Sequence, residues 1–132
     1  MKGSPALWAT KDCHCLAARR RARELTRLYE KKLRPHGLRA TQFSILAALA
    51  LKGPTPISEL AELLGLERTT LTRSTAVLVR NGWVETDRWE DARERLLRLT
   101  SPGRRKLEAA FPAWLEVQSL VDRQMAQPAA GV

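Results

Sequence analysis

The sequence predicts a mainly α-helical protein that carries one small β-hairpin. Apolar residues recur at spacings of three and four along most of the chain, two short alternating segments follow each other between positions 83 and 100, and Gly or Pro separates the segments. Apolar residues make up 44% and charged residues 28% of the 132 positions, which is typical of a folded chain. We therefore expect a single domain, residues 1–132, with its own hydrophobic core.

The first predicted helix spans residues 12–34 and follows a loose arm, residues 1–11. Asp12 has the side chain of an N-cap residue, and Pro35 and Gly37 end the helix. Apolar residues at helical spacing form one stripe along it, and the arginines of this helix lie mostly off that stripe. The stripe consists of Cys15, Ala18, Ala22, Leu25, Tyr29 and Leu33.

Residues 41–100 form a second predicted unit. Thr41 can cap a helix over 42–51 that is apolar on nearly every side, which predicts a central buried position. Ser58 can cap a short helix over 58–64, Gly65 gives a tight break, and Glu67 opens another helix over 68–80. Two short helices joined by a glycine-containing turn are the helix-turn-helix arrangement.

Two strands and a last helix complete the prediction. Residues 83–86 and 95–100 alternate as strands do, and the charged residues 87–94 between them are expected to form a hairpin loop, or wing. The last helix spans 102–126 with Pro102 in its first turn, and Pro112 is expected to bend it.

The charge distribution predicts a polyanionic partner. The net charge is +9, and residues 16–39 carry nine Arg or Lys against two Glu, while residues 66–106 carry ten against six acidic residues. Charge alone does not choose between DNA, RNA and anionic lipid. The longest apolar run, 45–51, is too short to span a membrane, and no apolar run precedes a cleavage site near the N-terminus. We therefore expect a cytoplasmic protein without a membrane partner.

The helix over 68–80 is the candidate for reading double-stranded DNA. Leu71 and Leu78 lie seven residues apart and are expected to face the core, with hydroxyl and guanidinium groups opposite them. An α-helix fits the major groove, where Arg bonds guanine and Thr contacts phosphate or the thymine methyl group. The alternative is an ordinary amphipathic helix with a solvated basic face. The candidate DNA-binding residues are Arg68, Thr69, Thr70, Thr72 and Arg73.

The predicted wing offers a second contact with DNA. Arg93 lies near the tip of the hairpin, where an arginine can enter the minor groove and read its width. Asp91, two residues earlier, can orient that guanidinium through a charge-assisted hydrogen bond. A solvated charged hairpin is the alternative, but a hairpin directly after a helix-turn-helix favours the DNA contact.

Three segments resemble the MarR family of winged helix-turn-helix regulators. The run LGLERTTLTR matches the turn and recognition helix of that family, and GLRATQFSILAAL matches its second helix. The run DAR at 91–93, followed by LRLT at 97–100 and Gly103, matches its wing. The resemblance covers about residues 13–125 and is specific in combination.

The resemblance implies a homodimer whose first and last helices, 12–34 and 102–126, interlock. It also implies that each recognition helix lies in a major groove of a pseudo-palindromic operator, with the wing in the flanking minor groove. Most members are repressors, and many release DNA when a phenolic or lipophilic acid binds or a cysteine is oxidised. Family chains usually continue with another helix beyond the position of Met125, so either the dimer is smaller here or that helix is lost. The apolar face with Phe111, Trp114 and Leu115 still needs a cover, so a dimer remains the expectation.

The run CLAARRRARELTRLY is similar to the first helix of the organic hydroperoxide regulators within this family. That similarity places Cys15 at the reactive cysteine and Tyr29 at a tyrosine near its thiolate. A helix N-terminus and nearby cations favour the thiolate, which is the form that peroxides attack. Arg19 and Ala40 stand where those relatives have further tyrosines, which leaves the hydrogen bonds to the thiolate incomplete. The alternative is a small cysteine buried between helices.

No enzyme activity, cofactor or metal site is predicted. A disulfide between Cys13 and Cys15 would close a very small, strained loop, and neighbouring side chains on a helix point about 100° apart, which prevents Cys13, His14 and Cys15 from converging on one ion. Two other functions remain open: a thiol-based peroxide-reacting protein that uses Cys15, and a winged-helix module that binds proteins. The presence of Arg73 and Arg93 favours DNA binding over the second.

Overall fold

A computed structural model describes residues 5–88 and 94–126, which form five α-helices, three short β-strands and two 3-10 helices. The predicted fold class, mainly α with a small β-hairpin wing, is confirmed. The 3-10 helices, Pro5–Asp12 and Arg34–His36, flank the first α-helix. In chain order the other elements are α1 (His14–Leu33), α2 (Ala40–Lys52), β1 (Thr55–Pro56), α3 (Ile57–Leu64), α4 (Arg68–Arg80), β2 (Val84–Arg88), β3 (Arg95–Leu99) and α5 (Ser101–Ala126).

The segment before α1 differs from the predicted loose arm. Residues 5–12 form a 3-10 helix, because local hydrogen bonds continue the helical path towards α1: Thr10 Oγ1 donates to the carbonyl of Leu7 at 2.8 Å and Cys13 N donates to the carbonyl of Thr10 at 3.2 Å. Cys13 is the N-cap residue of α1 and makes no side-chain capping bond. The prediction of Asp12 as the N-cap was therefore wrong.

Helix α2 lies at the centre of the core, as its apolar composition predicts. Ile45 and Leu46 are fully buried, and Leu49 is almost so. The helix contacts α1, α3, α4, α5 and β3. Its last turn reaches solvent, where Leu51 is 90% exposed.

The start of α2 is set by side chains other than the predicted cap. The helix begins at Ala40 with Arg39 as its N-cap residue, not with Thr41. Arg39 N donates to Gln42 Oε1 at 2.9 Å, and Ala40 N donates to a Glu30 carboxylate oxygen at 3.2 Å. These acceptors satisfy donors that the first turn of a helix leaves free, so no Thr41 cap is needed.

The predicted hairpin forms part of a three-stranded antiparallel sheet in the order β1-β3-β2. Val84 pairs with Leu99 and Arg88 with Arg95 across the hairpin, while Thr55 of β1 pairs with the other edge of β3. The sequence did not predict β1, because a strand of two residues has no periodicity and exists only through its partner.

Helix α5 packs its start directly against the backbone that joins α4 to β2. A Cβ atom on Gly103 would lie 2.0 Å from the carbonyl oxygen of Trp83, so only glycine allows this approach. The helix continues through Pro112 to Ala126, and the bend expected at Pro112 stays a prediction. Among the described helices, none is long and apolar enough to cross a membrane.

Replacing Thr75 by Val is expected to stabilise the protein. Thr75 is 4% exposed, and its hydroxyl has no hydrogen-bond partner within the described residues. A buried hydroxyl without a partner retains its desolvation cost, so Thr75→Val should raise the free energy of unfolding by about 1 kcal/mol in a urea titration.

Thr55→Val is the matched control, because the buried Thr55 hydroxyl donates to the carbonyl of Gly53 at 2.9 Å. Its free energy of unfolding should fall by about 1 kcal/mol. A loss of stability in both variants would contradict the assignment of Thr75 as the unsatisfied hydroxyl.

Candidate nucleic-acid interface

Helix α4 is held in one rotation by the residues that it buries. Leu71 and Leu78 are completely buried and Thr75 is nearly so. Residues four and seven positions apart share one face of a helix. The predicted inward direction of the two leucines is confirmed, and the opposite face of α4 therefore points to solvent.

All five predicted DNA-binding residues of α4 are exposed. Four of them, Arg68, Thr69, Thr72 and Arg73, line one shallow depression of about 480 Å³. They come together because residues four positions apart lie one turn above each other on a helix. Arg68 and Thr72 form one such pair, and Thr69 and Arg73 form the pair beside it. Thr70 is exposed but does not line this depression.

This exposed face combines hydrogen-bond donors with positive charge that no ion pair within the described residues engages. Guanidinium groups donate to phosphate or base acceptors, and hydroxyl groups both donate and accept. Helix α4 contains Arg68, Arg73 and Arg80 and no acidic residue. Such a face attracts the phosphate backbone of a nucleic acid and can also bond base edges.

The turn before α4 has the geometry that Gly65 was predicted to provide. Gly65 adopts a left-handed conformation with φ of +64°, and Leu66 N donates to the carbonyl of Ala61 at 2.9 Å. This hydrogen bond closes the end of α3 in a Schellman-type turn. The chain is extended at Glu67, the N-cap residue, and α4 then begins at Arg68.

Ion pairs fix the base of the wing. Arg98 of β3 lies directly opposite Glu85 of β2 and binds it at 3.1 Å, and it also binds Asp87 at 2.8 Å. These exposed pairs contribute little free energy, but they favour one register of the hairpin. The predicted wing residues Asp91 and Arg93 lie outside the described residues, so their roles stay predictions.

Glu94 connects the wing to α3, a contact that the sequence analysis missed. Its carboxylate accepts a hydrogen bond from Ser58 N at 2.9 Å. Ser58 lies inside the first turn of α3 and Pro56 is the N-cap residue, so the prediction of Ser58 as the cap was wrong. Hydrogen bonds from Ser58 hold the pKa of Glu94 below its ordinary value of 4.5, with a smaller contribution from the charge of Arg68.

No local signal could have revealed this contact, because the two residues are 36 positions apart. The bond joins the second strand of the wing to the helix that precedes α4. Since an amide at a helix N-terminus lacks a partner within its own helix, an acceptor from the wing satisfies it.

Cys15 is exposed in the described chain, rather than buried between helices. Arg19, one turn further along α1, directs Nη2 at Cys15 Sγ over 3.6 Å. The predicted proximity of a cation to Cys15 is therefore present in the structure.

Tyr29 does not meet Cys15 within one chain. The two residues lie on the same helix, 14 positions apart, which corresponds to a rise of about 21 Å. Tyr29 instead donates its hydroxyl to Gln118 of α5. Partial burial, and to a smaller extent the charge of Asp122, raise the pKa of Tyr29 above 10.0. A contact between Tyr29 and Cys15 would require two copies of the chain.

The contact between Glu94 and α3 should be visible in a pH titration by NMR. Because the folded-state pKa of Glu94 is lowered, the charged acceptor is present at pH 4.5 and above and is lost as the pH falls through that lowered value. The amide proton shift of Ser58 should therefore change below pH 4.5.

Glu94→Gln should abolish this titration step, since an amide does not ionise. Glu85→Gln is the control, because that carboxylate binds Arg98 instead of α3. A Ser58 amide that titrates identically in the wild type and in Glu94→Gln would refute the contact.

Comparison with known proteins agrees with this geometry. Residues 38–94 match the family model described as the MarR family. The chain is 37% identical over 87 residues to the uncharacterized HTH-type transcriptional regulator YwoH of Bacillus subtilis (strain 168). The match spans 66% of this chain and 64% of the length of that relative.

Solved structures extend the similarity over most of the fold. The M. tuberculosis transcriptional regulator MosR in complex with DNA is 43% identical, with a TM-score of 0.79 and coverage of 88% of this chain and 85% of that chain. Reduced AbfR bound to DNA is 27% identical, with a TM-score of 0.72 and coverage of 95% and 85%. Overoxidized AbfR bound to DNA is 26% identical, with a TM-score of 0.73 and coverage of 91% and 92%. The chain therefore belongs to the MarR family of transcriptional regulators.

Proposed function

We propose that this protein regulates transcription by binding a specific double-stranded DNA sequence as a homodimer, with α4 in the major groove. The observation that carries the proposal is the exposed face of α4, where Arg68, Thr69, Thr72 and Arg73 line one depression while leucines hold the helix from behind. The protein acts by binding and not by catalysis. It works in the cytoplasm, as a repressor.

The two chemical groups of this face have different tasks. An arginine that bonds the O6 and N7 atoms of guanine discriminates sequence, whereas threonine hydroxyls bonded to phosphate fix the register. The wing adds Arg93 in the flanking minor groove, oriented by Asp91. Ion pairs at Arg98 and the bond of Glu94 to α3 connect the base of the hairpin to its neighbouring strand and to α3.

Exposed apolar side chains on the terminal helices support the proposed homodimer. On α5, Phe111 is 46%, Leu115 45% and Met125 74% exposed. The first half of α1, residues 13–24, is exposed apart from the half-buried Leu16. A second copy that covers these faces would remove apolar surface from water. Two-fold symmetry would then match a pseudo-palindromic operator.

A cavity beside these helices has the size of a small effector. It measures about 410 Å³ and lies between α1, α2 and α5, with Leu25, Tyr29, Phe43 and Trp114 in its lining. The rings of Phe43 and Trp114 stack at a centroid distance of 5.8 Å and form an aromatic wall. A phenolic or lipophilic acid bound there would touch both the dimerising helices and the central helix of the DNA-binding lobe.

A second signal would be the oxidation of Cys15. The observation that favours it is the 3.6 Å contact between Arg19 Nη2 and Cys15 Sγ. The AbfR structures show a relative in reduced and overoxidized states. In the proposed step, the Cys15 thiolate attacks the terminal OH oxygen of a hydroperoxide, an S–O bond forms and the O–O bond breaks. Sulfur is oxidised to sulfenic acid, and the remaining RO part of the hydroperoxide, reduced in the same step, leaves as alkoxide and takes up a proton from water to give the alcohol.

Arg73→Ala should weaken binding to DNA from upstream of the protein's own gene by about 10- to 100-fold, because one bidentate contact with a base contributes about 1–3 kcal/mol. Fluorescence anisotropy at fixed salt measures the affinity, with unrelated DNA as competitor. Arg123→Ala is the control, since it removes the same charge from the C-terminal turns of α5 and should change the affinity by less than about twofold. Equal affinities of wild type and Arg73→Ala would rule out docking through α4.

Treatment with an organic hydroperoxide should lower the affinity of the wild-type protein for that DNA about tenfold or more. Cys15→Ser should keep its affinity under the same treatment, since a hydroxyl is not oxidised. Cys13→Ser is the control, because it leaves Cys15 and Arg19 in place and should respond like wild type. A response that persists in Cys15→Ser would refute Cys15 as the sensor without affecting the DNA-binding assignment.

A further inference from the structure

An open cavity of about 590 Å³ lies where the C-terminal half of α1 meets the second 3-10 helix and the start of α2. We refer to it as the basic cavity. It differs from the aromatic-walled cavity between α1, α2 and α5, because its lining is dominated by cationic side chains. These are Arg27, Lys31, Arg34 and Arg39, joined by Glu30, Gly37 and Leu38.

Local geometry brings these cations together. Arg27, Lys31 and Arg34 are spaced by four and three residues, so they follow one another along a single face of α1 and its continuation. Gly37, with φ of +72°, then reverses the chain and returns Arg39 to the same cavity. Helix α1, the second 3-10 helix and the start of α2 therefore each contribute positive charge to one concave surface.

Described residues balance the charge of the basic cavity only in part. Glu30 is the single carboxylate among those that line it, and one of its oxygens already accepts a hydrogen bond from Ala40 N. None of the four cations forms an ion pair with any residue in 5–88 or 94–126. Lys32, next in sequence to Lys31, does pair with Glu116 at 3.0 Å. The like charges therefore repel one another unless an anion is bound.

A further cation lies at the edge of the cavity. Lys106 Nζ is 3.8 Å from the position that a Cβ atom on Gly37 would occupy, and it lies 5.1 Å from the centroid of the Trp83 ring. The aromatic ring helps to hold the ammonium group in place. Leu38, which is 2% exposed, provides a rigid apolar part of the lining.

We propose that the basic cavity binds a small polyanion that carries phosphate or carboxylate groups. Guanidinium groups match such groups with two parallel hydrogen bonds, and the cavity volume falls in the range of small-molecule sites. Lys106 and Trp83 place the cavity near the C-terminal end of α4, about 18 Å of helix rise from Arg68. This separation favours a free molecule as the ligand over the phosphate of DNA bound to the recognition face. This site does not rest on the proposed function.

Isothermal titration calorimetry of the full chain with inorganic pyrophosphate, in a phosphate-free buffer of low ionic strength and without DNA, tests the proposal. The wild type should give saturable binding with one pyrophosphate per chain. Arg27→Gln and Arg34→Gln should each weaken it about tenfold, since each loses a charge-assisted contact worth about 1.4 kcal/mol or more. Two separate variants guard against a folding defect in either one, and thermal unfolding of each verifies that the fold is retained.

Lys11→Gln is the control, because it removes one exposed charge that lies before α1 and outside the cavity and should change the affinity by less than about twofold. No saturable binding to the wild type, or an equal loss in Lys11→Gln, would overturn the proposal. DNA affinities of the same variants separate the two sources of phosphate. If Arg27→Gln and Arg34→Gln lose DNA affinity tenfold, the cavity contacts the DNA backbone and the assignment to a free anion is wrong.

Discussion

The burial of Leu71 and Leu78 is the constraint on which the functional surface depends. Both side chains are removed completely from water, and together they fix the rotation of α4 about its axis. Rotating the helix by one residue would turn it by about 100°, expose a leucine and bury a guanidinium group. The free-energy cost of either event favours one orientation. Arg68 and Arg73 are therefore presented to solvent by residues that are themselves buried.

Three contacts from distant parts of the chain hold the surroundings of α4. Gly103 lets α5 approach the carbonyl of Trp83 just beyond the end of α4, Arg98 pairs the strands of the wing, and Glu94 binds the first turn of α3. Each contact contributes little to the free energy of unfolding. Their combined effect is that the recognition helix, the turn before it and the base of the wing keep fixed relative positions, which a surface that reads a fixed DNA geometry requires.

Positive charge has a different effect in each of three regions of the molecule. On α4 it faces outward from a helix without acidic residues, as a polyanion-binding surface needs. Around Arg27 and Arg34 it lines a cavity that holds, among the described residues, one carboxylate, which accepts a hydrogen bond from a backbone amide. Near Cys15 one guanidinium lies within contact distance of a thiol. The net charge of +9 is therefore concentrated in several local clusters of basic residues and is not spread evenly over the surface.

The sequence by itself determined the helices, the hairpin, the break at Gly65 and the two faces of α4, because periodicity and turn chemistry are local properties that few residues specify. Only the tertiary structure decided the partner of Ser58, the strand β1 around Thr55, the start of α2 at Ala40 and the convergence of Arg39 with the arginines of α1. These features join residues that are apart along the chain or separated by a turn. Their positions depend on how the helices pack, which no local pattern records.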